Sequence, residues 1–173
     1  MNEQISLEGV KDYMNAICKY SPRSYQVEGV YDALRHNRKL LISPTASGKS
    51  LMIYSIVRYF VEKGKNTLIV VPTTSLVEQM YKDFADYGWD VGSFCHKIYA
   101  GKERETDSQV IITTWQSIYK LPRKYFERFS VVIGDEAHQF KSKSLISIMT
   151  KLADAKFRYG FTGTLDGTQT HKW

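Results

Sequence analysis

Five short apolar-rich runs, separated by segments of helical spacing, restrict what this chain can fold into. They are Leu40-Leu41-Ile42, Thr67-Leu68-Ile69-Val70-Val71, Val110 to Thr113, Val131-Val132-Ile133 and Arg158 to Thr162. Runs of this kind read as strands buried beneath helices rather than as strands with one wet face. Ile5, Leu7, Val10, Met14 and Ile17 fall near helical spacing and predict an opening helix. A second helix is expected from about Ser24, carrying Gln26, Val30 and Leu34, and a third over Lys49 to Glu62, apolar almost all round. Ser75 and Glu78 read as a capping box for a helix carrying Met80, Tyr81 and Phe84, and Gly101 to Ser108 reads as a polar loop. Strand–helix alternation predicts right-handed crossovers, so the expected class is α/β, with a mostly parallel central sheet and helices on both faces.

The chemistry sits in the turns after two of these strands. Leu40-Leu41-Ile42 is followed by Pro44-Thr45-Ala46-Ser47-Gly48-Lys49-Ser50. A sharp strand-to-helix turn of small residues presents backbone N–H groups to a polyphosphate. Gly48 allows close approach, Lys49 suits the β- and γ-phosphates, and the Ser50 hydroxyl suits magnesium. The strict pattern has glycine where this chain has Ser43.

Asp135-Glu136-Ala137-His138 begins 86 residues beyond Lys49, after Ser130-Val131-Val132-Ile133-Gly134. A strand there delivers both carboxylates at its carboxyl end, where open parallel sheets place their ligands. Asp135 is a candidate magnesium ligand, and Glu136 a candidate base for the attacking water. Gly-Lys-Ser/Thr occurs by chance in about one chain in ten of this length, and Asp-Glu-Ala-His in roughly one in a thousand. Both in this order and context point to a nucleoside triphosphatase.

These blocks resemble motifs I and II of superfamily 2 helicases of DEAH type, and further blocks follow in family order. Arg23-Ser24-Tyr25-Gln26 is similar to the block whose glutamine reads the adenine edge. Val71-Pro72-Thr73-Thr74-Ser75-Leu76-Val77-Glu78-Gln79 resembles motif Ia. Ile112-Thr113-Thr114-Trp115-Gln116-Ser117 resembles a block on the nucleic-acid path. Phe161-Thr162-Gly163-Thr164 resembles motif III, which couples the ATP site to the strand. The resemblance runs from about Arg23 to Thr164, and is nearest to phage UvsW-type recombination helicases. Restriction-enzyme motor subunits share many of the blocks. Ala46 stands where many relatives have glycine.

The resemblance implies a three-layer RecA-like, P-loop NTPase domain over 23–165, preceded by a helical lead-in over 1–22. Residues 166–173 would begin a linker to a second RecA-like domain. That second domain carries an arginine finger worth a factor on the order of a thousand or more in rate. The implied cofactors are ATP and Mg2+. Arg23, Gln26, Thr45, Ala46, Ser47, Gly48, Lys49 and Ser50 would bind the nucleotide, and Ser50 and Asp135 the metal. Lys49, Asp135, Glu136 and His138 would form the catalytic set. Thr73, Thr113, Thr114 and Gln116 would touch nucleic acid, and Thr162 and Thr164 would couple the two sites.

Composition is consistent with such a domain. The chain has 173 residues, 43% of them hydrophobic, and a net charge of +6 that suits a polyanionic partner. Lys97, Lys102, Arg104, Lys120, Arg123, Lys124, Lys141 and Lys143 gather in the second half, near the strand-contacting blocks. Cys18 and Cys95 lack metal-ligand spacing and are expected as free thiols in a cytoplasm, and neither a signal peptide nor a membrane span is expected. The function the resemblance implies is that of a DNA helicase or translocase motor acting in recombination or repair. The alternatives are the motor domain of a restriction-enzyme translocase, or a stand-alone ATP- or nucleic-acid-binding module. A metabolic kinase would have no use for the Asp-Glu-Ala-His or Thr-Thr-Trp-Gln blocks. Trp115 is expected to pack beneath its loop, the alternative being a place against a base or sugar.

Overall fold

The computed structural model describes residues 5–43, 46–99, 106–135, 142–152 and 155–162. Its elements are α1 (Leu7–Ile17), α2 (Ser24–Leu34), β1 (Arg38–Ile42), α3 (Ala46–Glu62), β2 (Thr67–Val71), α4 (Thr74–Asp86) and α5 (Val91–Phe94). There follow β3 (Cys95–Ile98), β4 (Val110–Thr114), α6 (Trp115–Ile118), α7 (Arg123–Phe126), β5 (Val131–Asp135), α8 (Ser142–Lys151) and β6 (Phe157–Thr162). Among the described residues, six strands form one sheet in the order β1-β6-β5-β2-β4-β3, and every neighbouring pair is parallel. The expected parallel α/β architecture is therefore present.

Strand parity sorts the core into two layers, because successive side chains leave opposite faces. Leu41, Ile69, Val71, Val110, Ile112, Val131, Ile133, Tyr159 and Phe161 pack with the buried residues of α1 to α5. Leu68, Val70, Ile111 and Val132 pack with Ile118, Phe126, Phe129, Ile148 and Leu152 on the opposite face. Helix α3 supplies the unbroken buried run Leu51 to Val57, which its apolar circumference required. Helix α1 belongs to the first layer, since Val10 and Met14 lie in the same cluster as α2 and α3.

Two local expectations need correction. The cap of α4 is Thr73, whose Oγ1 accepts from the Leu76 N–H at 3.2 Å, and Ser75 lies inside the helix. Thr73 takes the extended backbone of a cap (φ −138°, ψ 157°), and Glu78 is used instead by Lys97, 2.9 Å away. Strand β3 was not foreseen: it reads Cys95-His96-Lys97-Ile98 and pairs only with β4 at the sheet edge. Edge strands tolerate polar residues that break an apolar run.

The far end of α4 is set by Gly88, at φ 106°. Its N–H donates to the Ala85 carbonyl at 3.0 Å and the Trp89 N–H to that of Phe84 at 3.4 Å, a Schellman ending. Trp89 returns to the core against Tyr54, Phe84 and Phe94.

Arg158 of β6 holds α8 in place. Its guanidinium donates to the carbonyls of Leu152 at 2.6 Å, Ala155 at 3.1 Å and Met149 at 3.5 Å. Burial, and then Arg38, lowers its pKa from the ordinary arginine value. These carbonyls lie at or just beyond a helix end without intrahelical donors. Arg158→Ala is expected to cost about 1.5–3 kcal/mol, read as a lower urea midpoint with unchanged slope. A midpoint equal to the wild type's would mean that water serves these carbonyls equally well.

Candidate nucleotide site

The carboxyl ends of β1, β6 and β5 are level. Leu41 and Asp135 both lie opposite Phe161, on either side of β6, and Ile42 lies opposite Thr162. The Ser43 N–H extends this ladder by donating to the Thr162 carbonyl at 3.0 Å. The last strand of the described chain therefore separates the two motif-bearing strands, which stand about 10 Å apart by sheet geometry.

Asp135 ends β5 with the parity of Val131 and Ile133, so it faces the layer that contains α3. Lys49 lies in the first turn of α3. The two side chains meet at 3.1 Å between Nζ and Oδ1, with Lys49 7% and Asp135 3% exposed. Isolated buried charges are costly, and a close ion pair offsets much of that cost. Residues 86 apart in sequence thus form one buried charged centre at the carboxyl edge of the sheet.

Gln26 locks a second element onto this centre. It is 5% exposed; its Oε1 accepts from the Arg23 N–H at 2.7 Å, and its Nε2 donates to the Gly48 carbonyl at 3.3 Å. The glutamine at the third helical position thus caps α2 and ties it to the start of α3. Arg23 is the cap residue and is itself exposed.

Ser50 is buried, and its Oγ lies 2.5 Å from the hydroxyl of Tyr87. Burial pushes the Tyr87 phenol up to about 12, so it stays protonated at neutral pH. No sequence signal pointed to Tyr87, which is 37 residues from Ser50 and belongs to no motif. Ala46 and Ser47 open α3 beside Gly48. Pro44, Thr45, Glu136, His138, Gly163 and Thr164 lie outside the described residues, as do 166–173.

The residues expected on the nucleic-acid path divide in two. Thr73 and Gln116 are exposed, although the Thr73 hydroxyl also caps α4. Thr113 and Thr114 are buried, with Thr113 Oγ1 donating to the Thr114 carbonyl at 3.0 Å and Thr114 Oγ1 2.8 Å from Ser117 Oγ. They shape the β4–α6 turn from within. Trp115 is half-buried against the second core layer and meets Tyr119 edge-on at 5.5 Å, in keeping with the expected packing role. Thr162, at the end of β6, is 2% exposed.

Cys18 and Cys95 are free and buried, and burial pushes the Cys95 thiol up to about 12. Among the described residues, no helix is long and apolar enough to cross a membrane.

Comparison with known proteins agrees with this fold. The family described as "Type III restriction enzyme, res subunit" matches residues 19–167. The chain is 34% identical over 175 residues to the ATP-dependent DNA helicase uvsW of Enterobacteria phage T4, covering 94% of this chain and 35% of that protein. It is 31% identical over 147 residues to the DNA 3'-5' translocase XPB2 of Sulfurisphaera tokodaii, covering 84% of this chain and 31% of that one. The crystal structure of the bacteriophage T4 UvsW helicase superposes with a TM-score of 0.88 at 30% identity, over 98% of this chain and 64% of that chain. The chain spans about a third of the length of these curated relatives. The family match over residues 19–167, together with the structural match over 98% of the chain, assigns it to the type III restriction enzyme res-subunit family, with the RecA-like fold of superfamily 2 helicase domains.

Proposed function

We propose that this chain is the ATP-binding motor domain of a DNA helicase or translocase that couples ATP hydrolysis to moving on or remodelling DNA, branched DNA in recombination and repair in particular. The observation that carries the reading is the buried Lys49–Asp135 pair at the carboxyl edge, beside the Gly48–Ser50 turn. Gln26 would read the adenine, with Arg23 beside it. The backbone of residues 45–48 and Lys49 would hold the phosphates.

The donor set fits magnesium, because a buried carboxylate and a buried hydroxyl are hard oxygen ligands. Ser50 and Asp135 would hold the ion, which when bound neutralises charge on the β- and γ-phosphate oxygens. Lys49 would then leave Asp135 for the phosphates, exchanging one anionic partner for another. Glu136 would orient and deprotonate the attacking water, and His138 would complete the catalytic set. Most of the work in phosphoryl transfer is positioning and charge stabilisation.

Thr73 and Gln116 are the exposed members of the nucleic-acid set and would touch the backbone, which gives affinity without sequence reading. Thr113 and Thr114 would support that contact from beneath. Thr162 and Thr164 would transmit the state of the ATP site. A RecA-like unit spanning 23–165, with α1 packed on it, would act with a second RecA-like domain reached through 166–173.

The test is ATP hydrolysis by the complete protein with single-stranded, duplex and forked DNA, RNA, or no nucleic acid. Severalfold stimulation by DNA, greatest with forks, is expected. Stimulation by a small phosphate acceptor instead, or by nothing, would overturn the motor reading.

A further inference from the structure

We infer that Tyr87 is a positioning residue for the Ser50 hydroxyl, orienting it for the metal; this rests on the reading of Ser50 as a magnesium ligand. A serine hydroxyl is a rotor with one proton and two lone pairs. Ligating a cation takes one lone pair and leaves the proton in need of an acceptor. The Tyr87 oxygen lies 2.5 Å from Ser50 Oγ and can serve as that acceptor.

The position of this oxygen is set by three parts of the fold. The Tyr87 ring packs on Tyr54 of α3 at 5.0 Å and edge-on against Tyr20, just beyond α1, at 6.1 Å. The Tyr87 carbonyl accepts from the Lys19 N–H at 3.2 Å, and its own N–H donates to the Asp83 carbonyl at 3.0 Å. Gly88 then turns the chain away, so Tyr87 caps the end of α4 with its ring directed inward. A phenylalanine would keep these ring contacts. What tyrosine adds here is the oxygen facing Ser50, a contact that ring packing alone does not require.

The experiment compares wild type, Tyr87→Phe, Ser50→Ala and the double variant. The readout is affinity for a non-hydrolysable ATP analogue, measured with magnesium and with a chelator, together with the melting temperature of the free protein. Wild type is expected to bind more tightly with magnesium. Tyr87→Phe should lose roughly two- to tenfold of affinity in magnesium, the worth of one hydrogen bond. Its chelator affinity should be unchanged, and its melting temperature close to that of wild type. Adding it to Ser50→Ala should produce no further loss.

Equal losses with and without magnesium would assign Tyr87 a structural role and overturn the proposal. No loss would also overturn it, and so would a gain, which would make the phenol a competitor of the ion. If Ser50→Ala keeps the full magnesium effect, the assignment of Ser50 as a ligand is what fails.

Discussion

Lys49→Ala is expected to abolish nucleotide binding and to destabilise the free protein at the same time. The binding loss follows from removing the one cation that the Gly48–Ser50 turn places at the carboxyl edge of the sheet beside Asp135. The stability loss follows from what stays behind: an Asp135 carboxylate only 3% exposed, with its ion-pair partner gone. Breaking a buried pair from one side costs roughly 3–5 kcal/mol. That is a large share of the roughly 5–15 kcal/mol that holds a typical domain together.

A second variant separates the two effects. Lys49→Met combined with Asp135→Asn removes both charges and keeps similar volumes, so most of the lost stability should return. Nucleotide binding should not. The measurements are denaturant midpoints and equilibrium binding of a fluorescent ATP analogue. A Lys49→Ala protein with undiminished affinity would sink the assignment of the phosphate loop.

Glu136→Gln in the complete protein is expected to bind ATP with near-normal affinity yet lose roughly a hundredfold or more in turnover. The reasoning is positional. Asp135 is the last residue of β5, is buried and faces Lys49, so it is committed to the charged centre. Glu136 is the next residue in the chain and the only other carboxylate of its block. A general base contributes to the transition state rather than to the ground-state complex, so its loss falls on turnover and spares binding. Equilibrium binding and single-turnover hydrolysis on the same preparation separate the two. Unchanged turnover would remove Glu136 as the base, and lost binding would place it among the ATP-holding residues instead.

Much of this domain can be read from local pattern. The strands β1, β2, β4, β5 and β6 coincide with apolar runs because both faces of a parallel sheet are covered, so burial is written continuously along each strand. The motif residues Gly48, Lys49, Ser50 and Asp135 sit where the strand-to-loop reading puts them, since that reading depends only on neighbours in sequence. What escaped was set by contacts that the motif patterns do not contain. Strand β3 is polar because, among the described residues, it has one neighbouring strand. Thr73, rather than Ser75, caps α4, because the helix starts two residues earlier than the box pattern implies. Thr113 and Thr114 match a block that the resemblance places on the nucleic-acid path, and the engagement of their hydroxyls within the turn is something the block does not encode.

The residue order alone pointed to the α/β class, to parallel strands and to the two turns proposed here for phosphate chemistry, because hydrophobic periodicity and motif spacing are local properties. Strand order and its consequences needed three dimensions. Inserting β6 between β1 and β5 levels their ends, and the parity of β5 turns Asp135 towards Lys49. The contacts of Gln26 with Gly48, of Tyr87 with Ser50 and of Arg158 with the end of α8 are of the same kind. Each depends on side chains brought together by packing, and no spacing along the chain encodes that meeting.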